Sequence, residues 1–176
     1  GGENIYATIG LTAQGGGGKG LVGYRIYAAS EGNVTSKIAL TDKDDVYGKV
    51  TTLFEITDKT SGFGDLGYTY SGFEFFNHTN GGEPQAVAVF GNGFGTDKSV
   101  LYFIDAYTGK QLREIVLDPN GKGAATPSMI VSSSITGGQK VDRIYVGDYS
   151  GSLYKIEFSG DNTVTSPAKI TALFKA

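Results

Sequence analysis

Several residue types are scarce in this sequence, and each scarcity narrows the classes of function to consider. The 176 residues include no cysteine, no tryptophan, one methionine and one histidine. Zero cysteines leave the redox compartment open, because they neither require nor exclude secretion. A Ser–His–Asp triad would have to use His78, which has polar neighbours typical of a loop and no nucleophile elbow in the sequence to accompany it. We therefore expect no catalytic histidine.

Long apolar runs and clustered positive charge are also missing. No stretch approaches the ~18 apolar residues of a membrane-spanning helix. The net charge of −3 argues against a nucleic-acid-binding surface, which is normally basic. No segment keeps a 3.6-residue apolar period, so we expect little helix. The sequence begins at Gly1 rather than methionine, which indicates a processed or partial chain whose signal peptide would not be visible.

What the sequence has in abundance is glycine and aromatic residues. Its 28 glycines, 11 tyrosines and 10 phenylalanines favour many tight turns between pleated strands. At this length the chain suits one domain, residues 1–176. Composition therefore predicts an all-β fold.

A short pattern recurs three times. Tyr24-Arg25-Ile26, Tyr102-Phe103-Ile104 and Tyr154-Lys155-Ile156 each follow a glycine-marked turn and soon meet another turn. Such repetition is typical of propeller blades, and we expect the three tyrosines at equivalent positions of three four-stranded antiparallel sheets. The blade-like units span roughly 1–66, 67–124 and 125–176. Three blades are fewer than the ~4–8 of a closed ring, which indicates a propeller fragment. Its terminal sheets would have open edges and exposed apolar faces, which predicts self-association, or a compact monomer only if the end strands pair with each other.

The individual strands follow from alternating or continuous apolar stretches between turn residues. The pattern predicts strands at residues 4–9, 21–27, 50–57, 67–76, 86–90, 100–105, 111–117, 128–132, 142–147, 152–158 and 168–174. Alternation over 111–117 is typical of an edge or half-exposed strand.

Two loops carry residues with alternative interpretations. Asp42, Asp44 and Asp45 could bind a hard cation through carboxylate oxygens, or form a solvated acidic loop. The glycine run at 15–18 followed by Lys19 could suggest a phosphate cradle, but the spacing is wrong and no helix follows, so a hairpin loop is favoured. Asp105, Asp148 and Glu157 recur at strand ends, where capping of turn amides is the favoured role.

An ordered set of motifs resembles the C-terminal β-propeller of PilC-type pilus proteins, which are type IV pilus biogenesis factors and tip-associated adhesins. The motifs that carry the resemblance are Leu53-Phe54-Glu55, Asp65-Leu66-Gly67-Tyr68-Thr69, Val89-Phe90-Gly91-Asn92-Gly93-Phe94, Leu101–Lys110 and Val141–Tyr154. Phe54 and Tyr154 replace the family's tryptophans. Both keep an aromatic body in the sheet.

The resemblance implies a calcium loop that this sequence has largely lost. Family members carry a loop of the type Asp-x-Asn-x-Asp-Gly-x-x-Asp before the strand that begins near Asp142. The corresponding residues 131–142 offer hydroxyls and one carboxylate, that of Asp142. Calcium needs ~6–8 oxygen ligands, several of them charged. We expect Asp142 to be a non-binding remnant, no cofactor, and any weak calcium site at Asp42, Asp44 and Asp45.

Three functional classes follow. The resemblance implies a non-enzymatic binding module at the bacterial cell surface, outer membrane or pilus tip, with pilus subunits or a host or surface receptor as partner. It would act in surface attachment or in control of pilus extension and retraction. The Asp105–Gly109 turn is shared with quinoprotein propellers, but their tryptophan docking motifs and vicinal disulfide are missing. A protein-interaction scaffold unrelated to pili is the third class.

Overall fold

Three antiparallel sheets follow one another along the chain. The computed structural model describes residues 5–30 and 50–176. Within them lie eleven strands and no α-helix: β1 (Ile5–Ala13), β2 (Gly20–Ser30), β3 (Thr51–Thr57), β4 (Glu74–Asn80), β5 (Glu83–Gly91), β6 (Ser99–Asp105), β7 (Gln111–Asp118), β8 (Ser128–Ser133), β9 (Gln139–Gly147), β10 (Leu153–Phe158) and β11 (Ala168–Phe174). No helix of this described part is long and apolar enough to cross a membrane.

Each sheet is a meander of consecutive strands. The first has the order β1-β2-β3, the second β4-β5-β6-β7 and the third β8-β9-β10-β11. The predicted all-β class of propeller-type antiparallel sheets is confirmed, and none of the three sheets closes into a barrel. The predicted edge character of residues 111–117 is also confirmed, because β7 is the last strand of its sheet.

The second sheet is buried on both faces, which explains its continuous apolar strands. One apolar cluster lies between the first and second sheets and includes Leu21, Ile56 and Phe90. The other lies between the second and third sheets and includes Val89 and Ile144. A strand covered on both sides has no polar face to alternate with, so β5 and β6 consist largely of buried apolar residues.

The outer face of the third sheet is more polar than expected. Side chains on this face alternate with the buried Ile144 and Ile156, because successive residues of a strand point to opposite faces. They include Arg143, Lys155 and Glu157, and both cations pair with the glutamate. The centre of this outer face is therefore charged, and the exposed apolar side chains expected on it are Ile130, Leu153 and Phe174.

The repeated tyrosines occupy equivalent positions in the second and third sheets but not in the first sheet. The strands β1, β5 and β9 are each followed by a residue whose N–H closes the next hairpin. The N–H of Gln14 donates to the carbonyl of Gly20, that of Asn92 to Val100 and that of Asp148 to Ser152. Tyr102 and Tyr154 both lie two residues after the accepting carbonyl and both are buried. Tyr24 lies four residues after it, on the same strand of the sheet but displaced. The first sheet also has three described strands rather than the four we expected.

Candidate functional site

The turns β1–β2, β5–β6 and β9–β10 lie at one end of the molecule. In a meander, successive turns alternate between the two ends, so the segments that link one sheet to the next share this end with them. Bridges join these segments directly: Gly15 pairs with Thr69, Tyr68 with Phe94, and Ala124 with Asp148. We call this region the loop end.

Asn92 holds the loop end together between the first two sheets. Its side-chain oxygen accepts the N–H groups of Val100 at 3.0 Å and Ala124 at 2.8 Å. Its amide nitrogen donates to the carbonyls of Asp65 at 2.7 Å and Lys98 at 2.9 Å. The residue is fully buried. A buried amide that forms all four bonds fixes the loops it joins.

Asp148 occupies the same position in the third sheet, with a carboxylate in place of the amide. Oδ1 accepts the N–H groups of Ser150 at 3.0 Å and Ser152 at 2.9 Å. Oδ2 accepts the hydroxyls of Ser99 at 3.0 Å and Tyr154 at 3.3 Å. The pKa of Tyr154 is raised to about 12, first by burial and then by its carboxylate neighbours. Asp148 therefore caps a turn, as predicted, and also joins the second sheet to the third.

Four aromatic side chains project from the loop end into solvent. Tyr68, Tyr70, Phe94 and Tyr149 are 39%, 59%, 51% and 41% exposed. The rings of Phe94 and Tyr149 meet edge to face with centroids 5.4 Å apart. We refer to these four rings as the aromatic loop surface.

The backbone beneath these rings is held by hydrogen bonds between loops. The N–H of Tyr68 donates to the carbonyl of Phe94 at 2.6 Å, and the N–H of Phe94 donates back at 3.0 Å. Tyr149 donates to the carbonyl of Gly123 at 2.9 Å. The Tyr68 ring lies so close to Gly95 that a Cβ there would approach it to 3.1 Å. Rings fixed in this way lose little conformational entropy when a ligand covers them.

Lysine side chains also lie at the loop end. The Lys19 ammonium lies 5.7 Å from the centre of the Tyr68 ring, within range of a cation–π interaction. Lys98 pairs with Asp65 at 2.7 Å and Lys122 with Asp97 at 2.9 Å. The run at residues 15–19 is a hairpin loop between β1 and β2, as favoured over a phosphate cradle. Such a mixture of exposed rings and charges is typical of a surface that binds another molecule.

The predicted metal residues are not brought together by the described structure. Asp42, Asp44 and Asp45 lie outside the described residues. Asp142 lies in β9, and the Lys140 ammonium is 3.9 Å from its carboxylate and 3.8 Å from that of Asp161. Among residues 5–30 and 50–176 there is no group of three acidic or histidine side chains that could hold a metal ion.

Asp161 organises the turn between β8 and β9. Its carboxylate accepts the hydroxyls of Ser134 and Thr136 and the N–H of Ile135 at 3.2 Å. The hydrogen bond from Ser134 is the largest of the interactions that lower the pKa of Asp161 to about 2. The sequence interpretation missed this residue, because Asp161 is twenty-five residues or more from the turn it holds.

His78 lies in β4 and not in a polar loop, so that prediction was wrong. It is 5% exposed, and its ring meets that of Phe76 edge to face with centroids 6.5 Å apart. Burial lowers the pKa of His78, which favours the neutral imidazole. The residues around His78 are polar because β4 is an edge strand in which exposed positions alternate with buried ones. This polar pattern was interpreted as a loop.

The turn that resembles quinoprotein propellers has a structural explanation. The Asp105 carboxylate accepts the N–H groups of Tyr107 at 2.9 Å and Thr108 at 2.8 Å. It also accepts the side-chain amide of Gln85 at 2.7 Å. Asp105 therefore caps its turn, as predicted, whereas Glu157 forms ion pairs with Lys155 and Arg143.

Three consecutive meanders joined at a common loop end define a propeller-type all-β fold. No protein-family model matches the sequence, and no curated protein matches it either. Among solved structures, the chain is similar to the crystal structure of the Pseudomonas aeruginosa PilY1 C-terminal domain, with a TM-score of 0.65 and 20% sequence identity. The match covers 97% of this chain and 35% of that chain. The predicted resemblance to a pilus-protein C-terminal domain is thus confirmed for the fold, and that neighbour is not of a known enzyme class.

Proposed function

We propose that this chain is a non-enzymatic binding module of a type IV pilus-associated protein. It would act at the bacterial cell surface or pilus tip, in surface attachment or in control of pilus extension and retraction. The similarity in fold to the PilY1 C-terminal domain supports the pilus context. The observation that carries the binding role is the aromatic loop surface, whose four exposed rings rest on a backbone fixed between loops.

The partner would be a pilus subunit or a receptor on the colonised surface. Tyrosine side chains are favoured at such contacts because they cover large areas with few rotatable bonds and also offer a hydroxyl. Lys19, beside Tyr68, would add attraction for a partner with negative charge.

Binding of the purified chain to sheared type IV pili and to the colonised surface tests this role. The triple variant Tyr68→Ser, Phe94→Ser, Tyr149→Ser removes three of the four rings. Tyr107→Ser is the matched control, because Tyr107 is also a 42% exposed turn tyrosine but lies at the other end of the sheets. We expect the unmodified chain and the control variant to bind equally well to either the pili or the colonised surface. The triple variant should bind neither of them. Equal binding by the triple variant would contradict the assigned surface.

We also propose that the turn between β8 and β9 is maintained without calcium. The Lys140 ammonium lies where it can balance the carboxylates of Asp142 and Asp161. The hydroxyls of Ser134 and Thr136 donate to Asp161, and so their protons point toward the carboxylate. Two carboxylates that share one ammonium, one of them already bonded to two hydroxyls, are a poor donor set for a divalent ion.

A further inference from the structure

In the described part of the chain, the first sheet has no counterpart of the strand with which the other two sheets begin. Counting back from the residues that close the hairpins, Gln14, Asn92 and Asp148, places β1 with β5 and β9 as second strands. In the second sheet β4 pairs with β5, and in the third β8 pairs with β9. Among residues 5–30 and 50–176, no strand pairs with the corresponding edge of β1.

Apolar residues of β1 are only partly covered as a result. Leu11 and Ile9 lie three and five residues before Gln14, as Val89 and Val87 lie before Asn92. Val87 and Val89 are fully buried, whereas Ile9 and Leu11 are half-buried. β1 also contains no charged residue, although charges are the usual protection of an exposed edge strand.

A turn of the third sheet shows how the missing strand would be held. The turn Gly137-Gly138-Gln139 docks on β4, the first strand of the second sheet. Gln139 Oε1 accepts the N–H of Asn77 at 2.8 Å, and the Gly137 carbonyl accepts the Thr79 hydroxyl at 2.8 Å. Both glycines have positive φ, 93° and 73°. A Cβ at Gly138 would lie 2.8 Å from the Asn77 carbonyl, so glycine permits this close approach.

The turn between β4 and β5 has two glycines of positive φ in the same positions, but no strand of the described residues lies against it. Gly81 and Gly82 have φ values of 61° and 92° and precede Glu83, which lies nine residues before Asn92, as Gln139 lies nine before Asp148. A Cβ at either glycine would meet nothing within 4 Å. Beside the turn is a groove of about 450 Å³, lined by Ala7 of β1 and by Asn80, Glu83, Pro84 and Gln85 among others.

We propose that this groove accepts an antiparallel β-strand of the same polypeptide that precedes β1. The Glu83 carboxylate would accept a main-chain N–H of that strand, and the Gly81 carbonyl would accept a hydroxyl two residues further on. Apolar side chains at alternate positions would cover Ile9 and Leu11. This inference is independent of the proposed pilus role.

The sequence itself favours the same polypeptide as the source. Gly1-Gly2-Glu3 repeats the triplet found at Gly81-Gly82-Glu83 and, with glutamine, at Gly137-Gly138-Gln139. Glu3 lies eleven residues before Gln14, two more than the spacing in the other two copies. In the two described copies, the first strand of the sheet lies before the triplet and the second strand begins at its third residue.

A strand copied from this chain provides the probe. Residues 71–80, which include β4, are fused directly before Gly1, so that the junction reproduces the native sequence from Asn80 to Glu83. The control fusion carries Phe76→Pro in the copied strand only, because proline cannot donate to the ladder. Amide hydrogen exchange of β1, Tm and molar mass are measured for both fusions and for the unfused chain.

We expect the fusion to be monomeric, to slow exchange of the β1 amides and to raise Tm by at least about 4 °C, whereas the control resembles the unfused chain. Glu83→Ala should reduce the gain in the fusion and leave Tm of the unfused chain unchanged. Unchanged β1 exchange in the fusion would overturn the proposal. An unfused chain whose β1 amides are already protected in a dimer would overturn it too, because a second copy would then occupy the groove.

Discussion

The two equivalent tyrosines allow a comparison of one hydroxyl group in two environments. Among residues 5–30 and 50–176, the buried Tyr102 hydroxyl has no hydrogen-bond partner of normal geometry, although the nearby Asp65 backbone opposes the rise of its pKa. The Tyr154 hydroxyl lies 3.2 Å from Asp118 and 3.3 Å from Asp148. Burial is also the largest cause of the raised pKa of Tyr102. Both rings are almost completely buried, so Tyr→Phe removes one oxygen at each site without opening a large cavity.

Tyr102→Phe should leave the free energy of unfolding unchanged or raise it by up to about 1 kcal/mol, since it removes an unpaired buried hydroxyl. Tyr154→Phe should lower it by about 1.5–3 kcal/mol, the range for hydrogen bonds to charged groups. The two variants would then differ by about 1.5–4 kcal/mol, or roughly 3–16 °C in Tm.

Urea unfolding followed by tyrosine fluorescence measures both variants against the unmodified chain. An unchanged slope with denaturant would show that the folded and unfolded states remain comparable. Equal losses in the two variants would refute the reasoning, because the Tyr102 hydroxyl would then have a partner of similar strength.

Three further perturbations test other contacts. Arg113 donates to the carbonyls of Thr163 and Ser166, each at 2.7 Å. Arg113→Lys should lower the free energy of unfolding in urea by about 1–3 kcal/mol, because lysine lacks the planar fork that reaches both carbonyls. An unchanged free energy of unfolding would show that these two hydrogen bonds do not stabilise the fold. The pKa of Asp161 is lowered to about 2 from an ordinary 3.8, so its stabilisation is present above about pH 4 and lost as pH falls toward 2. Asp161→Asn should therefore be less stable at pH 7 and match the unmodified chain near pH 2, and a constant difference over that range would contradict the assignment. Calcium or a chelator should leave Tm unchanged, in the unmodified chain and in Asp142→Ala alike, whereas a calcium-dependent rise abolished by Asp142→Ala would show a working calcium loop.

Much of the fold could be predicted because local patterns and packing agree. The strands from β5 to β11 were located within a few residues, since each is an apolar run bounded by glycine or other turn residues. β4 was placed too early, at residues 67–76. Tyr68, Thr69 and Tyr70 have strand propensity, but they form the link between sheets and pair with other loops.

The aromatic loop surface could not be predicted in the same way. Tyr68, Phe94 and Tyr149 come from three separate segments, and only the bridges at the loop end bring them to one place. Aromatic residues directly after glycine or aspartate in a turn were the one available signal. Asp161 and Arg113 are also distant in sequence from the groups they bind, so no local pattern indicates their roles.

The measurement that tests the central claim most directly is made in the bacterium that encodes the chain. The triple variant Tyr68→Ser, Phe94→Ser, Tyr149→Ser and the control Tyr107→Ser are introduced into the full-length protein, and surface attachment and pilus-driven movement are scored at equal protein levels. We predict that the triple variant loses attachment or movement and that the control keeps both. A triple variant that is folded, present at normal levels and unimpaired in both would contradict the assignment of this surface to type IV pilus function.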